Sequence, residues 1–196
     1  MHKSRARVLF LISIVLFSGC AGNRFARLSE PQVTLNASAS KDIVSMLGKP
    51  TQEGTVIQYG KRFNVLSYSF ARSSFSTFAG RPIASRTQMF YFHDDRLVGH
   101  VYTSTTRDST KFKEENIEKI KEGETKIEEA VALLGPPSGE YVYPFMEKEG
   151  ERAKVYYYFA ASTRLVKTKI YNQLLKISYN EAGLVTKVEY LETGDN

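Results

Sequence analysis

Apolar residues recur at helical spacing where Ile127, Ala130, Val131 and Leu134 stand at i, i+3, i+4 and i+7, the stripe of one buried helix face. Thr125 lies three residues before Glu128, the reciprocal cap of a helix start. Gly135 and Pro137 close the run. The same outline occurs earlier in the chain. Ile43, Val44 and Leu47 make the apolar face, Ser38 takes the cap position, and Gly48 and Pro50 end it. Lys41 stands where the later stretch has Glu128, which predicts a first helix weaker by about 1 kcal/mol for an incomplete cap. Asn36 stands in the place of Gly123, as expected if a turn there needs a positive φ.

After each helix the period changes. Residues 64–72, 87–93 and 97–104, and then 153–162, 174–180 and 184–191, are rich in aromatic and β-branched side chains and read as strands. Asp94-Asp95 and Glu181-Ala182-Gly183 supply tight turns. The two halves superpose at an offset of 87 residues: Val44 falls on Val131, Leu47 on Leu134, Gly48 on Gly135, Pro50 on Pro137, and later Val98 and Val101 on Val185 and Val188. Matches at both ends of a unit mark an internal repeat. The pattern predicts an α+β fold of two tandem αβββ units, residues 33–104 and 120–192, sharing an antiparallel sheet with both helices packed on one face. Residues 105–119 form a charged linker between them, with Phe112 and Ile117 sparsely placed.

Residues 1–19 read differently. Lys3, Arg5 and Arg7 precede the apolar run 8–17, followed by Ser18-Gly19-Cys20. A basic head, a short apolar body and small residues form a secretory signal. The run is shorter than the roughly 20 residues a membrane-crossing helix needs. Phe17-Ser18-Gly19-Cys20 resembles the bacterial lipobox, in which Cys20 becomes the lipid-modified N-terminus. Cys20 is the only cysteine, so no internal disulfide forms. A thioether to lipid also removes an odd thiol from an oxidising compartment, and two or more acyl chains hold a protein stably on a bilayer. Ala21 follows, not the aspartate that marks inner-membrane retention, so the resemblance implies the outer membrane, with the inner membrane as the other possibility. Residues 20–32 are polar and read as a lipidated tether.

Charge changes the picture little. Removing residues 1–19 takes away three basic and no acidic residues, so the formal charge falls from +6 to +3. No basic stripe, zinc spacing or recognition helix accompanies it, which argues against nucleic-acid binding.

The pattern Gly123-x-Thr125-x-x-Glu128-x-x-Val131-x-x-Leu134-Gly135-x-Pro137, then Tyr156-Tyr157-Tyr158-Phe159 and a hairpin ending in Gly183-Leu184-Val185, resembles the SmpA/OmlA family. That family includes the small lipoprotein of the outer-membrane β-barrel assembly machine. The same αβββ unit in tandem resembles the β-lactamase inhibitory proteins. The resemblance implies a non-enzymatic, periplasm-facing lipoprotein that acts as a protein-binding scaffold in envelope or outer-membrane protein assembly. The tandem architecture also admits an inhibitor of a periplasmic or secreted hydrolase.

No catalytic constellation is visible. His93 sits in a turn and His100 on a strand, without the convergent ligands a metal or nucleophile site needs. No cofactor and no small-molecule substrate are expected beyond the covalent lipid. One feature suits binding. Residues 72–86 and 163–173 contain no acidic side chain. The first stretch carries Phe75, Phe78 and Arg81, and the second Arg164 and Lys167. Arginine beside aromatics is the composition of interface anchors and of contacts to anionic lipid headgroups. These five residues are the candidate partner-binding set, and Cys20 is the lipid attachment site.

Overall fold

The aromatic runs become strands longer than their apolar centres, because a period-two pattern persists into polar ends. A computed structural model describes residues 25–29, 31–72, 79–164 and 167–194. Its elements in chain order are α1 (Ser40–Leu47), β1 (Gln52–Gln58), β2 (Lys61–Arg72), β3 (Ala79–Pro82), β4 (Ala84–His93) and β5 (Arg96–Ser104). A 3₁₀ turn (Glu114–Lys119) follows, then α2 (Ile127–Leu134), β6 (Gly139–Val142), β7 (Arg152–Arg164), β8 (Lys167–Tyr179) and β9 (Val185–Gly194).

The expected α+β class is overturned. The protein is mostly antiparallel β: one nine-stranded sheet curled into a half-barrel, with three short helical segments among the described residues. The helices do not make a layer. Each α-helix is eight residues long, and α1 buries only Ile43. The sheet covers itself instead. Strands of 12 and 13 residues twist and coil along their length, so both faces hold buried side chains.

The order of the sheet is β1-β2-β4-β5-β6-β7-β8-β9. β1 and β6 escaped the sequence pattern. β1 has no alternation, being exposed along most of its length, and β6 has four residues. Beside its helix, the first half therefore contributes five strands, β1 to β5, and the second half four, β6 to β9, and not three each. β3 pairs with β7, with Ala79 opposite Arg164 and Pro82 opposite Ser162. Ile83 N–H donates to the Ala161 carbonyl at 2.7 Å. Residues 79–93 thus act as one bent strand, bound first to the second unit and then to β2 and β5 of the first.

The two helix starts are built alike. Asn36 and Gly123 both have positive φ, 62° and 77°. Thr34 N–H donates to Ser38 Oγ at 2.9 Å, and Lys121 N–H donates to Thr125 Oγ1 at 2.8 Å. Ala39 N–H donates to Asp42 at 2.8 Å, and Lys126 N–H to Glu129 at 3.2 Å. The helix caps therefore lie one residue later than the sequence pattern predicts, and Asp42 gives α1 the acidic partner that Lys41 seemed to deny it. Ala39 bridges Arg96 and Lys126 bridges Leu184, so each helix start is hooked to its unit's last hairpin. Tyr68 OH donates to the Gly48 carbonyl at 2.9 Å, and Tyr156 OH to the Gly135 carbonyl at 3.1 Å.

Three cores result. Ile43 packs with Leu66, Phe90, Phe92 and Leu97 in the first unit. Ile127, Ala130 and Leu134 pack with Tyr156, Leu175 and Ile177 in the second. The third lies between the units, where Phe145 of the β6–β7 loop joins Phe63, Val98 and Val142. The 105–119 linker does more than connect. Phe112 is buried within the second core, with its ring 5.5 Å from that of Tyr156.

Candidate functional site

The strand directions sort the charged residues to two ends. At one end are the starts of β3 and β8 and the ends of β2 and β7. Arg72, Arg81, Lys167 and Lys169 are exposed there. The predicted set meets here in part. Arg164 is registered opposite Lys167 in β8 and opposite Ala79 in β3, so Arg81, Arg164 and Lys167 come from three neighbouring strands. Phe75 and Phe78 lie outside the described residues, as does Cys20. Sequence reading placed the two basic stretches in separate units. The β3–β7 pairing that joins them is non-local, and no short-range pattern signals it. Ile170 adds an apolar side chain, 55% exposed, next to Lys169.

The first described residues pack at mid-sheet. Phe25 packs its ring 6.0 Å from Tyr102, and the Arg27 guanidinium lies 4.1 Å over the same ring. Leu28 exchanges two hydrogen bonds with the buried Gln88 amide, at 3.0 and 2.7 Å. Gln88 is registered opposite Tyr102. Asn36 N–H then reaches the Leu97 carbonyl at 2.7 Å. Residues 25–29 and 31–36 therefore run along β4 toward the Asp94-Asp95 turn, away from the basic end.

At the far end a cleft of about 1070 Å³ opens between the units. The turns Asp94–Arg96 and Glu181–Gly183 face each other across it, with Glu128, Glu149 and Tyr143 on its walls. Lys61 Nζ sits 4.2 Å over the Tyr143 ring and donates to its hydroxyl at 2.8 Å. His93 Nδ1 lies 3.0 Å from the Arg62 carbonyl and its ring 5.2 Å from that of Phe63, so the ring is held by packing. His100 is on β5, opposite Phe90 and Glu140. Among the described residues no three His, Cys, Asp or Glu side chains converge as metal ligands.

Beside the cleft is a strongly buried carboxylate network, the one such network among the described residues, which the sequence reading missed. Glu140 is 3% exposed. It accepts hydrogen bonds from Arg152 Nε at 2.7 Å, Lys154 Nζ at 2.8 Å and Tyr179 OH at 2.8 Å. Burial pulls its pKa upward, but the Lys154 ammonium outweighs it, aided by Tyr179 and Arg152, and the carboxyl stays below its ordinary value. Burial raises the Tyr179 phenol, and the neighbouring Glu140 charge raises it further. Only β6 pairing could have revealed the network, since Glu140 stands in a stretch without apolar alternation.

No protein-family model, curated protein sequence or solved structure is similar to this chain. The fold and these two ends define an antiparallel-β half-barrel, with a basic hairpin end and a mixed-charge cleft at opposite poles.

Proposed function

We propose that this chain is a lipoprotein of the bacterial envelope, SmpA/OmlA-like in its repeat. A lipid on Cys20 moors it to the outer membrane, and it acts without catalysis as a scaffold for another envelope protein. The observation that carries the reading is the entry of the chain. Phe25 is bound at mid-sheet and the backbone then travels toward the Asp94-Asp95 turn. A moored N-terminus therefore leaves the cleft between the turns on the side away from the tether, open to a protein partner. Tyr143 is 37% exposed at its wall, and tyrosine is among the residues that anchor interfaces.

The test is site-specific photocrosslinking in intact cells from two cleft positions, Tyr143 and Glu181, with Gln52 on β1 as the control. The reading expects one defined membrane-associated envelope protein crosslinked from the cleft and not from Gln52. A soluble hydrolase as the sole product would favour an inhibitor, and equal products from all three positions would contradict a cleft-borne interface.

A further inference from the structure

Four exposed cations cluster at the hairpin end: Arg72 closing β2, Arg81 in β3, and Lys167 and Lys169 opening β8. The β3–β7–β8 register gathers the last three, because Pro82 is opposite Ser162 and Ser162 is opposite Lys169, and Arg72 is opposite Ala84, two residues after Pro82. The stretches that carry them, 72–86 and 163–173, contain no Asp or Glu. Arg86 is different, since Asp108 pairs with it at 3.3 Å. Ile170, next to Lys169 in β8, is 55% exposed. A solvated surface of mixed sign would not exclude acids from two stretches in separate units and then bring them together.

Distance gives the cluster its partner. Residue 25 sits at the level of Tyr102, which is opposite Gln88. From Gln88 to Arg81 is seven residues of bent strand, roughly 23 Å at about 3.3 Å per residue. Phe25 lies five positions after Cys20, a span of at most roughly 18 Å. A protein moored through Cys20 therefore cannot hold its hairpin end clear of the bilayer while pointing that end toward it. The tether is shorter than the projection it would have to clear.

We propose that the hairpin end, through Arg72, Arg81, Lys167 and Lys169, docks on the anionic headgroups of the bilayer and sets the protein upright, cleft outward. The contact is electrostatic and weakens with salt, and Ile170 enters the headgroup layer. The proposal rests on the lipoprotein reading for its geometry, but the contact itself needs no acyl chain and is measured without one.

The experiment uses the full mature chain carrying Cys20→Ser and vesicles of phosphatidylglycerol with phosphatidylethanolamine, or of phosphatidylcholine alone. Co-sedimentation with the anionic vesicles only, lost on adding salt, is expected. The Arg72→Glu/Arg81→Glu/Lys167→Glu/Lys169→Glu variant should bind at least about tenfold more weakly with an unchanged melting temperature. Lys61→Glu/Arg96→Glu, at the opposite pole, should bind like the parent. Equal binding to neutral vesicles, undiminished binding by the fourfold variant, or equal loss from the opposite-pole variant would overturn the proposal. So would a fourfold variant that loses only a co-purifying protein while keeping its vesicle affinity. A failure here leaves acylation of Cys20 intact, whereas a failure of acylation leaves the vesicle result standing.

Discussion

Glu140 shows how much one buried charge settles locally. Its side chain is 5% exposed, while Lys154 and Arg152 are 25% and 49% exposed. Two half-solvated cations thus enclose a carboxylate that water scarcely reaches. Glu140→Gln should cost about 1.5–3 kcal/mol, a buried-pair penalty discounted for the exposure of its partners. Denaturant unfolding at pH 7 reads it. Because the folded carboxyl titrates below its ordinary value, its stabilisation is present above the unfolded glutamate pKa near ~4.3 and is lost as pH falls through the folded value. The gap between parent and Glu140→Gln should therefore shrink in unfolding curves taken below pH ~4, and a gap unchanged with pH would contradict the assignment. The two helix-end tyrosines give a paired check. Tyr156→Phe and Tyr68→Phe each remove a hydrogen bond to a helix-terminal carbonyl and should each lower stability by about 0.5–1.5 kcal/mol. At this scale the sequence was uneven. Asn36 and Gly123 were legible as matched positive-φ positions because only a few residue types tolerate them. Glu140 was not, because nothing in its neighbours' pattern reveals that β5 and β7 flank it.

Among the elements, β6 carries the join between the units, and it depends on close backbone approach. A Cβ on Gly139 would lie 1.9 Å from the His100 carbonyl oxygen. The obstruction is backbone, so β6 would have to leave its place. Gly139→Ala should destabilise by about 3 kcal/mol, whereas Gly54→Ala, with open space around its Cβ, should stay within about 0.5 kcal/mol. Thermal unfolding of the two variants side by side checks this, and similar losses would show that β6 does not bind the units together. The helices follow the same logic at their caps. Asp42→Ala and Glu129→Ala should each cost about 1 kcal/mol, equal within error, because the two carboxylates occupy the same place in each repeat. A clearly weaker effect of Asp42→Ala in unfolding curves would restore the idea of an uncapped first helix. Both helices, their Gly-x-Pro stops and the 87-residue offset were readable from local spacing. The class was not. Two eight-residue helices looked like a layer in sequence, while the curl of long strands that covers the sheet's own faces comes from twist accumulated over many residues. Phe112 was likewise invisible as core, since one aromatic among charges has no period.

The molecule as a whole has a polarity. The basic hairpins hold one end, and the cleft between the turns Asp94–Arg96 and Glu181–Gly183 holds the other. The candidate binding set was half legible for a physical reason. Composition exposes a stretch without acids, but the pairing of β3 with β7 that assembles the cluster joins residues some 80 positions apart. On the lipoprotein reading, this polarity takes its meaning from the proposed covalent attachment of lipid at Cys20. Radiolabelled palmitate fed to cells expressing the parent chain or Cys20→Ser measures it directly, with membrane fractions read on the same gel. The account predicts a labelled parent band in the outer-membrane fraction and an unlabelled variant that leaves it. An unlabelled parent, or a variant that labels and fractionates as the parent does, would contradict it.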